Sequence, residues 1–193
     1  MIKEFFIILF GAAIVNNVVL TRFLGICPFL GISKRTYSAV GMGIAVSFVM
    51  VLASSATWVI EEFLLTPLEL PFLRYPAFIL VIASLVQFVE IFLRKKMPKL
   101  FKAFGIYLPL ITTNCAILGV ALLNSINRYS FAKSVVFAFG SGVGFLLALV
   151  IMSGIRERLE DAEIPKALDG IPIALIVAGL LALAFSGFAG VIQ

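Results

Sequence analysis

The sequence contains no histidine, only two cysteines and a single tryptophan among its 193 residues. The lack of histidine excludes the commonest protein metal ligand and the side chain that most often transfers protons near neutral pH. Two cysteines are too few for a scaffold held together by disulfides. Charged residues make up only 13% of the chain, which is about half of their usual share in soluble domains. A soluble globular enzyme is therefore not expected.

Apolar residues are what the sequence has in abundance, at 62% of the chain. A helix needs about 20 such residues to cross a bilayer. Six segments are long enough: roughly 5–32, 37–60, 75–93, 103–124, 134–155 and 171–191. The start, Met1-Ile2-Lys3-Glu4, lacks the basic run of a signal peptide, so we expect the first segment to be kept as a span. The sequence predicts an all-α integral membrane protein whose 193 residues form a single transmembrane domain.

The distribution of lysine and arginine predicts the orientation in the membrane. Ten of these residues lie in the first, third and fifth connections, and four lie on the opposite side of the membrane. The side richer in Lys and Arg is the cytoplasmic one. Both termini should then face outward from a bacterial or archaeal cytoplasmic membrane. The net charge of +5 reflects this asymmetry and does not argue for binding to nucleic acid.

Two similar halves are predicted to be inverted relative to each other. Each cysteine begins the same phrase, Cys-x-x-x-Gly, at 27–31 and at 115–119. Gly-x-Gly at 41–43 and 140–142, and a proline that opens an apolar run at 76 and 172, follow in the same order. A repeat of three spans reverses direction, so the halves would be related by a pseudo-twofold axis in the membrane plane. We expect repeats of about 1–95 and 96–193.

The first and fourth segments are predicted to be discontinuous helices. Both carry helix-disfavouring residues near their middle, namely Asn16, Asn17, Gly25, Pro28 and Gly31 in the first and Gly105, Pro109, Thr112, Asn114 and Gly119 in the fourth. Irregular backbone at membrane depth survives only where protein buries it or where it lines a cavity. Interrupted segments at matching positions of two halves are typical of a central functional site. A kinked but continuous helix is the alternative.

Cys27 and Cys115 admit four interpretations. A single buried cysteine usually behaves as a small apolar residue. The pair could instead form a disulfide, although a disulfide there would add little to packing. It could transport a soft metal ion, since thiolates select Cu(I) or Zn(II), but further Met, His or Cys ligands are not evident along a path. It could also be half of a [2Fe–2S] site. Such a cluster needs four thiolates, so another chain with the same two-cysteine architecture would supply the rest.

Residues beside the cysteines are secondary candidates. Thr113, Asn114, Gly25, Gly31 and Gly119 are predicted to surround the sulfur atoms, where hydrogen bonds would set the potential of a cluster, or to cap and pack the half-helices. The central parts of the spans contain no carboxylate, which proton pumps usually place there. Sodium could instead bind to the carbonyl and hydroxyl oxygens of unwound segments near Gly25, Thr112 and Thr113.

Three further features have interpretations that bear on the site. Arg22 is the one charge well inside a span, and it either extends toward the interface or offsets a negative charge at the thiols. Glycines 140, 142 and 144 resemble a phosphate-binding loop, but close helix packing explains them better because no Lys-Ser/Thr follows. The polar stretch 156–169 is expected to be an interfacial face or a docking surface for a cytoplasmic subunit.

Three stretches carry a resemblance to a known family. They are Asn16-Asn17 with Phe23-Leu-Gly-Ile-Cys-Pro-Phe-Leu-Gly, Gly105 through Leu122 with its core Thr-Thr-Asn-Cys-Ala, and Ile155-Arg-Glu-Arg. Together they resemble the A-type membrane subunit of the Rnf complexes, from about residue 5 to the end of the chain. A related alternative is the E-type subunit of the sodium-pumping NADH:quinone oxidoreductase, which shares the Asn-Cys-Ala core.

This resemblance implies a subunit of a translocase that couples electron transfer between ferredoxin and NAD to the movement of Na⁺ or H⁺. It implies a [2Fe–2S] cluster inside the membrane, held by Cys27 and Cys115 together with two cysteines of a homologous, oppositely inserted E-like subunit. Flavin-bearing and iron–sulfur subunits of the same complex are the other implied partners. No complete active site is expected in this chain. The rival hypothesis from a different class is a secondary transporter without a cofactor.

Overall fold

Two long helices that pack against each other form the centre of the fold. The computed structural model describes residues 2–68, 71–96, 111, 113–165 and 168–188. Within these ranges every regular element is helical and no strand occurs, which confirms the all-α prediction. The helices are α1 (Ile2–Phe10), α2 (Ile26–Ile32), α3 (Thr36–Ile60), α4 (Arg74–Lys96), α5 (Cys115–Ile126), α6 (Phe131–Glu160) and α7 (Ile171–Ser186).

The central pair consists of α3 and α6, which run in opposite directions. Thr36, at the start of α3, contacts Glu157 near the end of α6, whereas Ser54 near the end of α3 contacts Ser134 near the start of α6. Small residues allow the close approach. A Cβ added to Gly43 would overlap Leu146, and one added to Gly142 would lie 2.7 Å from Ser47. Steric fit between small residues is the usual way in which helices associate in membranes.

The first helix and the turn that follows it also pack against the glycines of α6. A Cβ on Gly140 would lie 2.8 Å from the carbonyl oxygen of Leu9, and one on Gly144 would lie 2.6 Å from that of Ala13. These contacts confirm close packing as the role of the three glycines at 140, 142 and 144. The backbone of α1 continues beyond Phe10 as a π-helical turn, Gly11–Val15, before the helix stops.

Among the residues that the structure describes, three helices are long and apolar enough to cross a membrane: Thr36–Leu65, Arg74–Ile91 and Phe131–Glu160. Cys115–Ile126 and Ile171–Ser186 are apolar but shorter. The first predicted span is interrupted, as expected, between Val15 and Ile26. The first half of the fourth predicted span, with Gly105, Pro109 and Thr112, lies outside the described residues. Six spans, the inverted repeats and the outward termini stay predictions.

Helical backbone continues beyond the ends of two predicted spans, 37–60 and 134–155. A π-helical turn, Glu61–Leu65, and a short helical turn, Thr66–Leu68, extend α3. Glu61 is therefore helical, and its carboxylate pairs with Arg74 of α4 at 2.6 Å. At the other end of the bundle α6 continues through Arg156 to Glu160. Three of the charged residues in these extensions, Glu61, Arg156 and Glu157, contact neighbouring elements.

Candidate site at the two cysteines

Both cysteines stand at the start of a short helix. Cys27 is the second residue of α2, and Cys115 is the first residue of α5. Both are free thiols and both are exposed. Exposure is unusual for cysteine, which is among the most buried residue types when it serves only to pack. The described part of the chain therefore buries neither thiol in a core of its own.

Gly25 brings the two breaks together. Its backbone N–H donates a hydrogen bond to the sulfur of Cys115 at 2.9 Å, and Cys27 follows two residues later in the chain. Gly25 has a φ of +79°, which residues with a side chain rarely adopt. A Cβ there would also lie 2.9 Å from Phe145 and 3.1 Å from Oδ1 of Asn114. The loop before Cys27 thus needs a glycine in order to approach Cys115.

Asn114 begins the second half-helix. Its side-chain oxygen accepts a hydrogen bond from the backbone N–H of Ala116 at 3.0 Å, so that it caps α5. Helix capping was one of the two roles predicted for this residue. Its side-chain amide nitrogen is buried and has no hydrogen-bond partner in the described part of the chain. A donor therefore remains available beside Cys115.

Asn17 fixes the shape of the first break. It is fully buried, and its side-chain oxygen accepts hydrogen bonds from the backbone N–H groups of Val19 and Leu20 at 3.0 and 3.3 Å. Its amide nitrogen donates to the carbonyl of Gly144 in α6 at 2.8 Å. One side chain thereby satisfies backbone groups that leave the helical pattern and fastens the loop to the central helix. Sequence reasoning counted Asn17 only as a helix-disfavouring residue.

The thiols lie about halfway along the bundle. Gly25 approaches Phe145, the fifteenth residue of the 30-residue helix α6. From this level α2 runs toward one end of the bundle, where Leu30 meets Arg156. In contrast, α5 runs toward the opposite end, where Asn124 meets Ser134. The two cysteine-bearing half-helices therefore start near the same depth and run in opposite directions.

Arg156 and Glu157 hold the connection between α2 and α3. The guanidinium of Arg156 donates to the carbonyl of Leu30 at 2.7 Å and to the hydroxyl of Ser33 at 2.9 Å, at the end of α2. The carboxylate of Glu157 accepts a hydrogen bond from the backbone N–H of Thr36 at 2.8 Å, at the start of α3. A cation at a helix C-terminus and an anion at a helix N-terminus are both favourable. These contacts give Arg156 and Glu157 a structural role within the chain, and the docking surface at 156–169 stays a prediction.

The remaining predicted site residues fall in different places. Gly119 packs below the first break, since a Cβ on it would lie 2.5 Å from Leu24. Gly31 is open, because a Cβ there would meet no atom within 4 Å. Thr113 is exposed next to Asn114, and Thr112 lies outside the described residues. Arg22 is exposed in the loop between the two halves of the first segment.

The described residues contain no group of three or more His, Cys, Asp or Glu side chains that could hold a metal ion. The sulfur atoms of Cys27 and Cys115 are therefore the thiol donors that this part of the chain offers. Two exposed thiols at one level can supply half of a four-thiolate set. A second chain would have to cover this face of the bundle and supply the other half.

Comparison with known proteins gives consistent matches over almost the whole chain. Residues 5–192 match the family described as "Rnf-Nqr subunit, membrane protein". A protein of Syntrophotalea carbinolica, named as the A-type subunit of an ion-translocating oxidoreductase complex, is 59% identical over 190 residues, which cover 98% of each chain. A protein of Acetobacterium woodii, named as the A-type subunit of a Na⁺-translocating ferredoxin:NAD⁺ oxidoreductase complex, is 57% identical and covers 95% of each chain.

Proposed function

Because this chain belongs to the Rnf-Nqr family of membrane subunits, we propose that it carries electrons across the bilayer through a [2Fe–2S] cluster shared with a second subunit. At the coarser level, it is a membrane subunit of a redox-driven, ion-translocating oxidoreductase complex. The cluster, the partner that completes it and the ion are the proposed part. They add to the family assignment a chemical role for two particular residues, Cys27 and Cys115.

One observation carries the proposal. Both thiols are exposed halfway along an apolar bundle, and Gly25 lies beside both of them. The N–H of Gly25 points at the sulfur of Cys115, and Cys27 begins only two residues further on. An exposed thiol pair at this level has no evident packing role. Such a pair suits a ligand that is shared with another protein surface.

The residues present fit half of the proposed cluster. A [2Fe–2S] cluster is held by four cysteine thiolates, and Cys27 and Cys115 would supply two of them. Donors directed at sulfur stabilise the negative charge of a thiolate-bound cluster and set its potential. The N–H of Gly25 is one such donor. The unpartnered amide of Asn114 is a second candidate.

Each neighbouring residue has a separate mechanical task. Asn114 fixes the first turn of α5, whose positive end stabilises negative charge on Cys115. Asn17 holds the loop that delivers Gly25 to the same sulfur. Arg156 anchors the far end of α2 and so limits movement of Cys27. When bound, the cluster would accept and release one electron at a time. The chain's own residues would keep the sulfurs of Cys27 and Cys115 at a fixed separation, and the second subunit would cover the exposed thiols.

The depth of the thiols supports the presence of such a group in a membrane subunit. An electron that crosses an apolar layer about 30 Å thick needs an intermediate stop. A site halfway along α6 divides that distance. We propose that this stop connects iron–sulfur subunits on the cytoplasmic side with a flavin-bearing subunit on the outer side. The coupled ion is Na⁺ or H⁺, and Na⁺ agrees with the name of the Acetobacterium woodii relative.

The test is electron paramagnetic resonance of the reduced, intact complex, purified with its native partners. Cys27→Ser and Cys115→Ser should each remove one [2Fe–2S] signal and stop electron transfer, while the altered chain still assembles. Ser84→Ala is the control, because the Ser84 hydroxyl is exposed and donates only to Leu80 of its own helix. The control complex should keep the full signal. Full signals in both cysteine variants would reject the proposal.

A further inference from the structure

A second polar region lies far from the cysteines, at the opposite end of α5. It is a cavity of about 660 Å³ between the end of α3, the start of α4 and the end of α5. Its walls include Glu61, Arg74, Asn124 and Ser125. Asn124 is nine residues beyond Cys115, so the cavity floor lies ~14 Å further along the helix at 1.5 Å per residue. The cavity is therefore separate from the thiol site.

Asn124, one of the residues that line the cavity, carries an acceptor without a donor in the described part of the chain. Asn124 is only 4% exposed, and its amide nitrogen donates to the hydroxyl of Ser54 and, at 3.4 Å, to the carbonyl of Ser134. Its side-chain oxygen is buried and has no hydrogen-bond partner among the described residues. Buried polar atoms are nearly always partnered, so each exception calls for an explanation such as an ion. A cation or a water molecule is what such an oxygen would bind.

The wall above Asn124 already holds a cation. One carboxylate oxygen of Glu61 accepts a hydrogen bond from Ser125 at 2.9 Å and contacts the guanidinium of Arg74 at 2.6 Å. Glu62 and Arg128, also on the walls, add one charge of each sign at the exposed rim. A second nitrogen of Arg74 donates to the other carboxylate oxygen at 3.2 Å, so the guanidinium occupies both oxygens of the carboxylate that a small cation in the cavity would need.

We propose that this cavity binds Na⁺, with Asn124 Oδ1 and the carboxylate of Glu61 as protein ligands, and that Arg74 competes for the same carboxylate. Oxygen donors of these kinds suit hard cations. A single carboxylate with neutral oxygens balances a single positive charge, whereas structural divalent sites in proteins usually offer more carboxylates. Arg74 would occupy Glu61 when Na⁺ is absent and move aside when Na⁺ enters.

The position of the cavity indicates which step the site serves. It lies at the end of the bundle where the Lys and Arg distribution predicts the outer face. The inference rests on one part of the proposed function, namely that the complex translocates an ion. Na⁺ would pass this site on the outer part of its route. It does not depend on the cluster, because the cavity shares no residue with the thiol site.

The experiment measures equilibrium binding of radioactive Na⁺ to the intact complex, in a K⁺ buffer, together with the iron–sulfur spectrum of each sample. Asn124→Ala should weaken Na⁺ binding about tenfold, the scale of one lost ligand. Asn124→Asp should tighten it, because the added charge faces the cation. Arg74→Gln should also tighten it, because the competing guanidinium is gone. Asn127→Ala, at the exposed end of α5, is the matched control and should bind Na⁺ as the unaltered complex does.

Opposite shifts in the Asn124→Ala and Asn124→Asp variants would support the site, since misfolding cannot increase affinity. Unchanged Na⁺ binding in both variants, or binding that is weaker in both, would overturn it, and so would weaker binding in Arg74→Gln. The spectrum keeps this result apart from the proposed function. If the cluster spectrum is normal and substitution of Asn124 leaves Na⁺ binding unchanged, the cavity site alone is rejected. If substitution of the cysteines leaves the cluster spectrum unchanged, the electron-transfer proposal alone is rejected.

Discussion

Substitution of Gly25 by alanine is the change whose cost the structure defines best. The φ of +79° at Gly25 costs a residue with a Cβ about 1–2 kcal/mol. The new methyl group would also meet Phe145 at 2.9 Å and Ala116 and Asn114 at 3.1 Å. Overpacking of this kind in a buried site costs about 1–3 kcal/mol. Together the two effects predict that the free energy of unfolding falls by about 2–5 kcal/mol.

The same substitution should disturb the thiol site, because the hydrogen bond from Gly25 to Cys115 belongs to the strained loop. The measurement is the thermal midpoint of the intact complex, combined with the spectrum of its reduced iron–sulfur centre. Gly154→Ala is the matched control: it lies within α6 and away from the cysteines, an added Cβ would meet no described atom within 4 Å, and alanine favours a helix by about 1 kcal/mol over glycine. Equal midpoints and identical spectra for the two variants would show that Gly25 has neither the conformational nor the steric role assigned to it.

Three other substitutions test the supports of the site. Arg156→Gln should lower stability by about 1–3 kcal/mol through lost charged hydrogen bonds and make Cys27 more reactive to alkylating agents, whereas Arg158→Gln, on the exposed side of α6, should change neither. Asn17→Ala should cost on the order of 3 kcal/mol because buried backbone groups lose their partners, and Asn16→Ala, which is exposed, should be nearly neutral in the same thermal assay. Asn114→Ala should cost about 1 kcal/mol as a lost helix cap and shift the spectrum of the reduced centre, so an unshifted spectrum would argue against any contact with the sulfur atoms.

Composition and local sequence were enough to predict much of the fold. Long apolar runs predicted helices, and Asn, Gly and Pro within the first of them predicted the break that the structure places between Val15 and Ile26. The pairing of Cys27 with Cys115 came from the repeated Cys-x-x-x-Gly phrase. The inverted repeat also predicted that the two thiols lie near the same depth. The contacts of Gly25 with Cys115 and Phe145, which set the level of the first break, required the structure.

Long-range polar contacts were beyond the reach of sequence reasoning. Arg156 looked like an ordinary cytoplasmic charge because its partners, Leu30 and Ser33, lie more than a hundred residues earlier in the chain. Glu61 falls just outside the predicted span 37–60, and its pairing with Arg74, 13 residues later, depends on how the ends of α3 and α4 meet. Nothing in the local sequence shows that Asn124 keeps a buried, unpartnered oxygen. Such contacts are set by the way distant helices meet, which periodicity and propensity do not encode.

The central claim is that Cys27 and Cys115 are ligands of a shared intramembrane cluster. Quantitative alkylation, followed by mass spectrometry of the intact complex with and without its iron, tests it most directly. In the iron-replete complex we expect both thiols to resist alkylation, because the cluster would hold them. Both are exposed on this chain, so they should become reactive together once iron is removed. Rapid alkylation of either cysteine in a complex that retains all of its iron would show that the thiols do not hold the cluster.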